Sequence, residues 1–141
     1  MTAPSPDGRD CPCGRGGTFG VLNYERCCGR YLDGAAAPAP DAESLMRSRY
    51  TAYALGRHEY VLATWDAAHR PTRLDVDGVR WTGLQVLDRT ATGPDAAEVE
   101  FVATYADRRS GLPGMLQERS RFTLREGRWW YLDAVDPRTD H

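Results

Sequence analysis

The sequence predicts an α+β protein carrying a small metal-binding knuckle at its N-terminus. Three observations carry this. All four cysteines lie between Cys11 and Cys28. Apolar residues recur at helical spacing from Asp41 onward. From Val79 the period changes to two, in segments bounded by turn residues. Helices followed by an antiparallel run of about four strands is an α+β order. A curved sheet wrapped over those helices would form a cone with an opening.

The 141-residue length suits one domain with a small appendage. A domain of this size buries about two-thirds of its unfolded surface, so it can build its own core. Hydrophobic content of 41% and charged content of 27% are those of an ordinary globular chain. A formal net charge of −2 gives no general pull toward nucleic acid or an anionic membrane. All 18 basic residues are arginine, which with the Ala and Pro content points to GC-rich, bacterial coding. No apolar run approaches the roughly 20 residues of a membrane span, and residues 1–10 lack a signal-peptide pattern. The expectation is a cytoplasmic protein, where clustered cysteines serve as metal ligands more often than as disulfides.

Cys11 and Cys13 flank Pro12, and Cys27 is followed directly by Cys28. Four sulfurs about 2.3 Å from a metal make a structural zinc tetrahedron, so the chain must converge twice. Gly14, Gly16, Gly17 and Gly29 permit the tight turns this requires. The competing reading is free or disulfide-bonded cysteine, or redox chemistry at Cys27 and Cys28, although the usual CxxC context is missing.

Pro38 and Pro40 break helix and mark a short linker. Asp41 sits where an N-cap belongs, with Glu43 in the first turn. A helix is expected over Asp41–Leu55, with Leu45, Met46, Tyr50, Tyr53 and Ala54 on one face and Arg49 inside that apolar arc. Arg49 must find a carboxylate or carbonyl partner there, either as a buried structural brace or as an anion-binding group in a pocket. A second helix is expected over His58–Trp65, with His58 either lining a cavity or solvated.

Strands are expected over Trp81–Asp88, Glu98–Ala106, Met115–Leu124 and Arg128–Val135. Ala91–Ala97 reads as a turn region and Glu126-Gly127 as a two-residue hairpin turn. Alternation puts Glu118 and Ser120 on the apolar face of the third strand, and groups Asp133 with Trp129 and Tyr131 on the last. Glu118 or Asp133 is a natural candidate partner for Arg49. The chain divides into a knuckle over residues 1–34, a linker over 35–40, an α+β domain over 41–136 and a tail over 137–141.

Two resemblances extend this reading. Cys-Pro-Cys-Gly followed by Tyr24-Glu25-Arg26-Cys27-Cys28-Gly29 resembles the SEC-C zinc motif, with a longer loop between the cysteine pairs than is usual. The resemblance implies one structural Zn2+ per chain held by Cys11, Cys13, Cys27 and Cys28, and a packing role for Tyr24. Leu45-Met46-Arg47-Ser48-Arg49-Tyr50, Trp81-x-Gly83-Leu84, Glu118-Arg119-Ser120-Arg121-Phe122 and Trp129-x-Tyr131-Leu132-Asp133 resemble the YchJ-like family of bacterial proteins. That resemblance implies a cone-shaped domain of the nuclear-transport-factor-2-like fold. Many members carry a second SEC-C motif, which this sequence lacks.

The expected function is therefore a protein-interaction or adaptor module with a catalytically silent zinc, since four thiolates leave no open position for water. The SEC-C resemblance implies a partner in export, chaperone or translation machinery, and a homodimer could cover the open sheet face. The alternative is small-molecule binding or enzymatic activity in the cone, through Arg49, His58, Glu118, Ser120 and Asp133. No catalytic residue is assigned. Arg108/Arg109 and Arg119/Arg121 could form a basic strip, but the net acidity argues against nucleic acid.

Overall fold

The computed structural model of the protein describes residues 10–17, 20–33, 38–72 and 78–135. The tail over 137–141 with His141, residues 35–37 of the linker, 73–77 of the polar stretch and 18–19 of the longer cysteine loop lie outside the described residues.

The N-terminal part is built from a two-residue ribbon, β1 (Gly16–Gly17) and β2 (Gly20–Val21), a 3-10 turn over Tyr24–Arg26 and a one-turn helix, α1 (Gly29–Leu32). The Asn23 side chain caps the 3-10 turn by accepting from the Arg26 N–H at 3.1 Å. Helix α2 (Ala42–Leu55) begins as its sequence dictates: the Asp41 carboxylate accepts from the Ser44 N–H at 2.7 Å. It ends at Gly56, whose φ of 76° is left-handed. Helix α3 (His58–Ala63) is shorter than its sequence pattern suggests. The chain leaves it at Trp65, which lies in parallel beside Tyr131 of the sheet; the Tyr131 N–H donates to the Thr64 carbonyl, and its carbonyl accepts from the Asp66 N–H.

Four antiparallel strands follow in sequential order: β3 (Val79–Gly93), β4 (Ala96–Asp107), β5 (Pro113–Arg125) and β6 (Arg128–Val135). The turn expected over Ala91–Ala97 shrinks to Pro94-Asp95, because both flanking strands run further than their alternation reveals. In β3 the pairing skips Thr82, Leu87 and Thr92. Each extra residue is a bulge that shifts the side-chain parity, which hides the strand from a period-two reading and adds twist. The β5–β6 hairpin closes through Glu126 and Gly127, at φ of 56° and 75°, a type I′ turn.

One face of the sheet packs on α2, and Val99, Phe101, Ala103 and Phe122 share a buried core with Leu45 and Met46. The aromatic side of this core is a chain of edge-to-face contacts: Tyr50 to Trp81, Trp81 to Tyr105, Trp65 to Tyr131 and Tyr131 to Phe122. The other face of the sheet is charged. Arg119 reaches Asp88, Glu98 and Glu100, and Arg121 forms a two-pronged pair with Asp133. The arginines at positions 119 and 121, half of the suspected basic strip, are thus matched by carboxylates. No helix of the described residues is long and apolar enough to cross a membrane.

Asp66 ties the α3 end to the sheet. Its buried carboxylate takes hydrogen bonds from Arg125 of β5, His69 Nδ1 and the Ala68 N–H. The Arg125 guanidinium, with His69 behind it, draws the acid down from 3.8 to about 2. A folded-state value below the unfolded one stabilises the fold fully above the unfolded value, and that contribution is lost as pH falls through the folded value. Asp66→Asn is therefore expected to be less stable than the parent at neutral pH, with the difference closing toward pH 2. Urea titrations at pH 7, 4 and 2 read this out; a difference independent of pH would refute it.

Candidate metal centre and cone cavity

The knuckle is organised by its backbone. Cys11 N–H donates to the Leu22 carbonyl at 2.9 Å, Gly14 N–H turns back on the Cys11 carbonyl, and the Tyr31 and Leu32 N–H groups fold onto the Cys28 carbonyl. Gly14 adopts φ of 73°, which suits glycine. Gly29 has a different reason to be small: a Cβ there would lie 2.7 Å from the Tyr24 carbonyl oxygen and 3.0 Å from its ring. Tyr24 is buried against this turn, so the Tyr-x-x-Cys-Cys-Gly spacing is a packing requirement.

These turns bring all four sulfurs within 4.8 Å of one another, every cysteine being buried. Cys13 Sγ and Cys27 Sγ are 3.5 Å apart. A tetrahedron with metal–sulfur bonds of about 2.3 Å has sulfur–sulfur edges of about 3.8 Å, so the cluster fits a tetrahedral ion. The thiols cannot ionise independently. Hydrogen bonds from Cys13, Cys27 and Cys28 draw Cys11 far down, while hydrogen bonding to Cys11, Cys13 and Cys27 with burial drives Cys28 far up. A cation at the centre removes this conflict, because it favours the thiolate at every corner. The four cysteines can hold a metal ion.

Helix α2 supplies the surroundings of that centre. Thr51 Oγ1, fully buried, donates to Cys28 Sγ at 3.2 Å and lies 3.7 Å from Cys11 Sγ. Arg47 donates to the Cys13 carbonyl at 3.0 Å while pairing with Glu43 at 2.8 Å. Arg15 reaches back from the knuckle to Ser44 Oγ at 2.9 Å. Arg57 clamps the far end, donating to the Leu32 carbonyl and to Asp33.

On the other side of α2, the cone encloses a cavity of about 360 Å³. Six aromatic side chains line it: Tyr50, Tyr53, Trp81, Phe101, Phe122 and Tyr131. Arg49, Glu118 and Ser120 also line it. Arg49 is 6% exposed. Its Nη1 donates to the Val61 carbonyl at 2.6 Å and to Thr64 Oγ1 at 2.9 Å. Its guanidinium stacks 4.2 Å from the Tyr131 ring centroid and 5.0 Å from that of Trp65. Burial pushes the Arg49 guanidinium below its ordinary value, the tyrosines and Glu118 offsetting part of that. Glu118 accepts from Ser120 Oγ at 2.7 Å and from the Tyr131 hydroxyl at 3.1 Å, both on Oε2. Burial also raises the Tyr53 and Tyr131 phenols, which remain neutral donors.

Of the five pocket residues suggested by sequence, Arg49, Glu118 and Ser120 meet in the cavity. His58 and Asp133 are not among its lining residues. His58 opens α3, beside the Arg57–Glu59 pair. Asp133 faces away because β6 bulges at Leu132: Phe122 pairs with Tyr131 and Arg121 with Asp133, so one extra residue inverts the parity after Tyr131. Nor does Arg49 pair directly with either carboxylate; its direct hydrogen-bond partners are the Val61 carbonyl and Thr64. Sequence reasoning missed Thr51 and Tyr53. Thr51 gave no signal, being one hydroxyl on a helix, whereas Tyr53 was visible as an apolar-face aromatic whose phenol could line a pocket.

Comparisons with known proteins agree with this geometry. A family profile described as the middle NTF2-like domain of YchJ matches residues 41–134. A UPF0225 protein of Methylibium petroleiphilum is 52% identical over 138 residues, covering 96% of this chain and 92% of its own length. The solution structure of a SEC-C motif containing protein from Rhodopseudomonas palustris superimposes with a TM-score of 0.76 at 32% identity, covering 90% of this chain and 99% of that one. A crystal structure of a SEC-C motif containing protein from Psychrobacter arcticus gives 0.75 at 30% identity, covering 90% and 82%. The chain belongs to the YchJ-like, UPF0225 family, and in it a cysteine knuckle is joined to a domain of the nuclear-transport-factor-2-like fold.

Proposed function

We propose that the chain is a cytoplasmic zinc protein in which one structural Zn2+, held by Cys11, Cys13, Cys27 and Cys28, fixes a knuckle for binding a protein partner. The observation that carries this is the convergence of four buried sulfurs within 4.8 Å. A four-thiolate site has every position filled by protein, so the metal stabilises and does not catalyse. The likeness to SEC-C motif proteins supports zinc over other tetrahedral ions. The ribbon of Gly16, Gly17, Gly20 and Val21 stands exposed beside the centre and is the surface the knuckle offers.

A second reading is favoured by a separate observation, the aromatic cavity with Arg49 buried in its wall. Ligand sites commonly have such a form, mostly apolar with a few convergent polar groups, in cavities of about 300–1,000 Å³. Here the knuckle is the clamp and the cone is the receptor.

Native mass spectrometry of the full chain purified without added metal is expected to show one zinc per chain, released on denaturation with all thiols reduced. A mass lowered by the hydrogens of one or two disulfides would refute the metal site. Cys27→Ser/Cys28→Ser is expected to lose the zinc, lower the melting temperature and abolish capture of a partner retained by the parent; unchanged capture would remove the knuckle from recognition. Gly29→Ala keeps all four ligands but drives a methyl group into Tyr24. It is expected to cost about 1–3 kcal/mol in a denaturant titration of the zinc-loaded protein, and an unchanged midpoint would show that Tyr24 can yield.

A further inference from the structure

Arg49 is nine-tenths buried, yet among the described residues no carboxylate forms an ion pair with it. Both of its hydrogen bonds run through Nη1 to neutral acceptors. The Nε and Nη2 edge, the side of a guanidinium that grips a carboxylate with two parallel bonds, carries no protein partner among the described residues. Arg49 lines the cavity, and its plane is held by the stacked rings of Tyr131 and Trp65. A cation immobilised in this way is pre-organised for an anion.

The cavity has a second polar group with a different demand. Glu118 uses Oε2 for both of its hydroxyl donors, which leaves Oε1 to accept from something else. Exposure along β5 falls from Leu116 at 40% to Ser120 at 2%, so Glu118 lies between the mouth and the floor. Glu118 and Arg49 are not in ion-pair contact, and the space they share is walled by Tyr50, Tyr53, Trp81 and Phe101. A complementary ligand has an anion at one end, a flat apolar body and a hydrogen-bond donor at the other end.

We propose that the cone cavity binds a small aromatic carboxylate bearing a hydrogen-bond donor at its far end, its carboxylate on Arg49, its ring among the aromatic wall and its donor on Glu118. This rests on the receptor reading of the cavity given above.

The test is isothermal titration of the full-length, zinc-loaded protein with para-hydroxyphenylacetate, its neutral amide, and phenylacetate. The acid is expected to bind. The amide, which lacks the charge, and phenylacetate, which lacks the donor, are each expected to bind about tenfold more weakly, since charge-assisted hydrogen bonds are the ones removed. Arg49→Gln is expected to erase the preference for acid over amide. Leu116→Trp plugs the mouth from an exposed position and is expected to weaken the acid about tenfold or more. Arg49 also braces Val61, so if Arg49→Gln fails to fold, the acid-to-amide ratio of the parent decides. Equal affinities for acid and amide overturn the ligand class while leaving a binding cavity. Failure of all three probes overturns the proposal as well; if indole then also leaves the NMR signals of Trp81 and Phe122 unmoved, the receptor reading falls with it.

Discussion

Helix α2 is buried on nearly every side, although much of what it buries is polar. Ser44, Ser48, Arg49 and Thr51 are all buried, as are Leu45, Met46, Tyr50 and Ala52. An apolar helix could be packed in many ways, whereas one carrying these groups can be packed only where each finds a partner. Ser48 is met by the Leu45 carbonyl and the Tyr60 hydroxyl, Arg49 by Val61 and Thr64, Thr51 by the cysteine sulfurs and Arg47 by the Cys13 carbonyl. Helix α3, the knuckle and the sheet are positioned by that demand.

The two candidate sites are therefore not independent. Arg49 and Thr51 are two residues apart and face opposite sides of one helix, the first lining the cavity and the second hydrogen-bonded to Cys28. A metal ion held by the four sulfurs would also fix the turn of helix on which Arg49 sits, through Thr51. The charge arrangement supports this division of labour. Arg47, Arg15 and Glu43 form a polar seam where knuckle meets helix, while the cavity keeps its own cation and anion apart.

The order of elements, the helix cap at Asp41 and the cysteine cluster could all be read from sequence, because each depends on local chemistry or spacing. The parity of the strands could be read only where they are regular. Val99, Phe101 and Ala103 on β4, and Glu118, Ser120 and Phe122 on β5, face the core as alternation predicts. Asp133 does not, because one bulge at Leu132 turns it outward. The partner of Arg49 is legible only in kind. A guanidinium on that face calls for a carboxylate or a carbonyl; the Val61 carbonyl answers, with the Thr64 hydroxyl and two aromatic faces, rather than Glu118 or Asp133, and where those groups lie is a tertiary fact with no sequence signature.

The three skipped residues of β3 have a bearing on how copies of the chain meet one another. β3 is an outer strand fifteen residues long, with Leu87 exposed at its middle. A strand of that length, if regular, would offer a continuous row of unpaired amides to any neighbouring chain. With Thr82, Leu87 and Thr92 each interrupting the repeat, an incoming strand loses register within a few residues. The irregularity that bends the sheet into a cone also makes its longest open edge a poor template for aggregation.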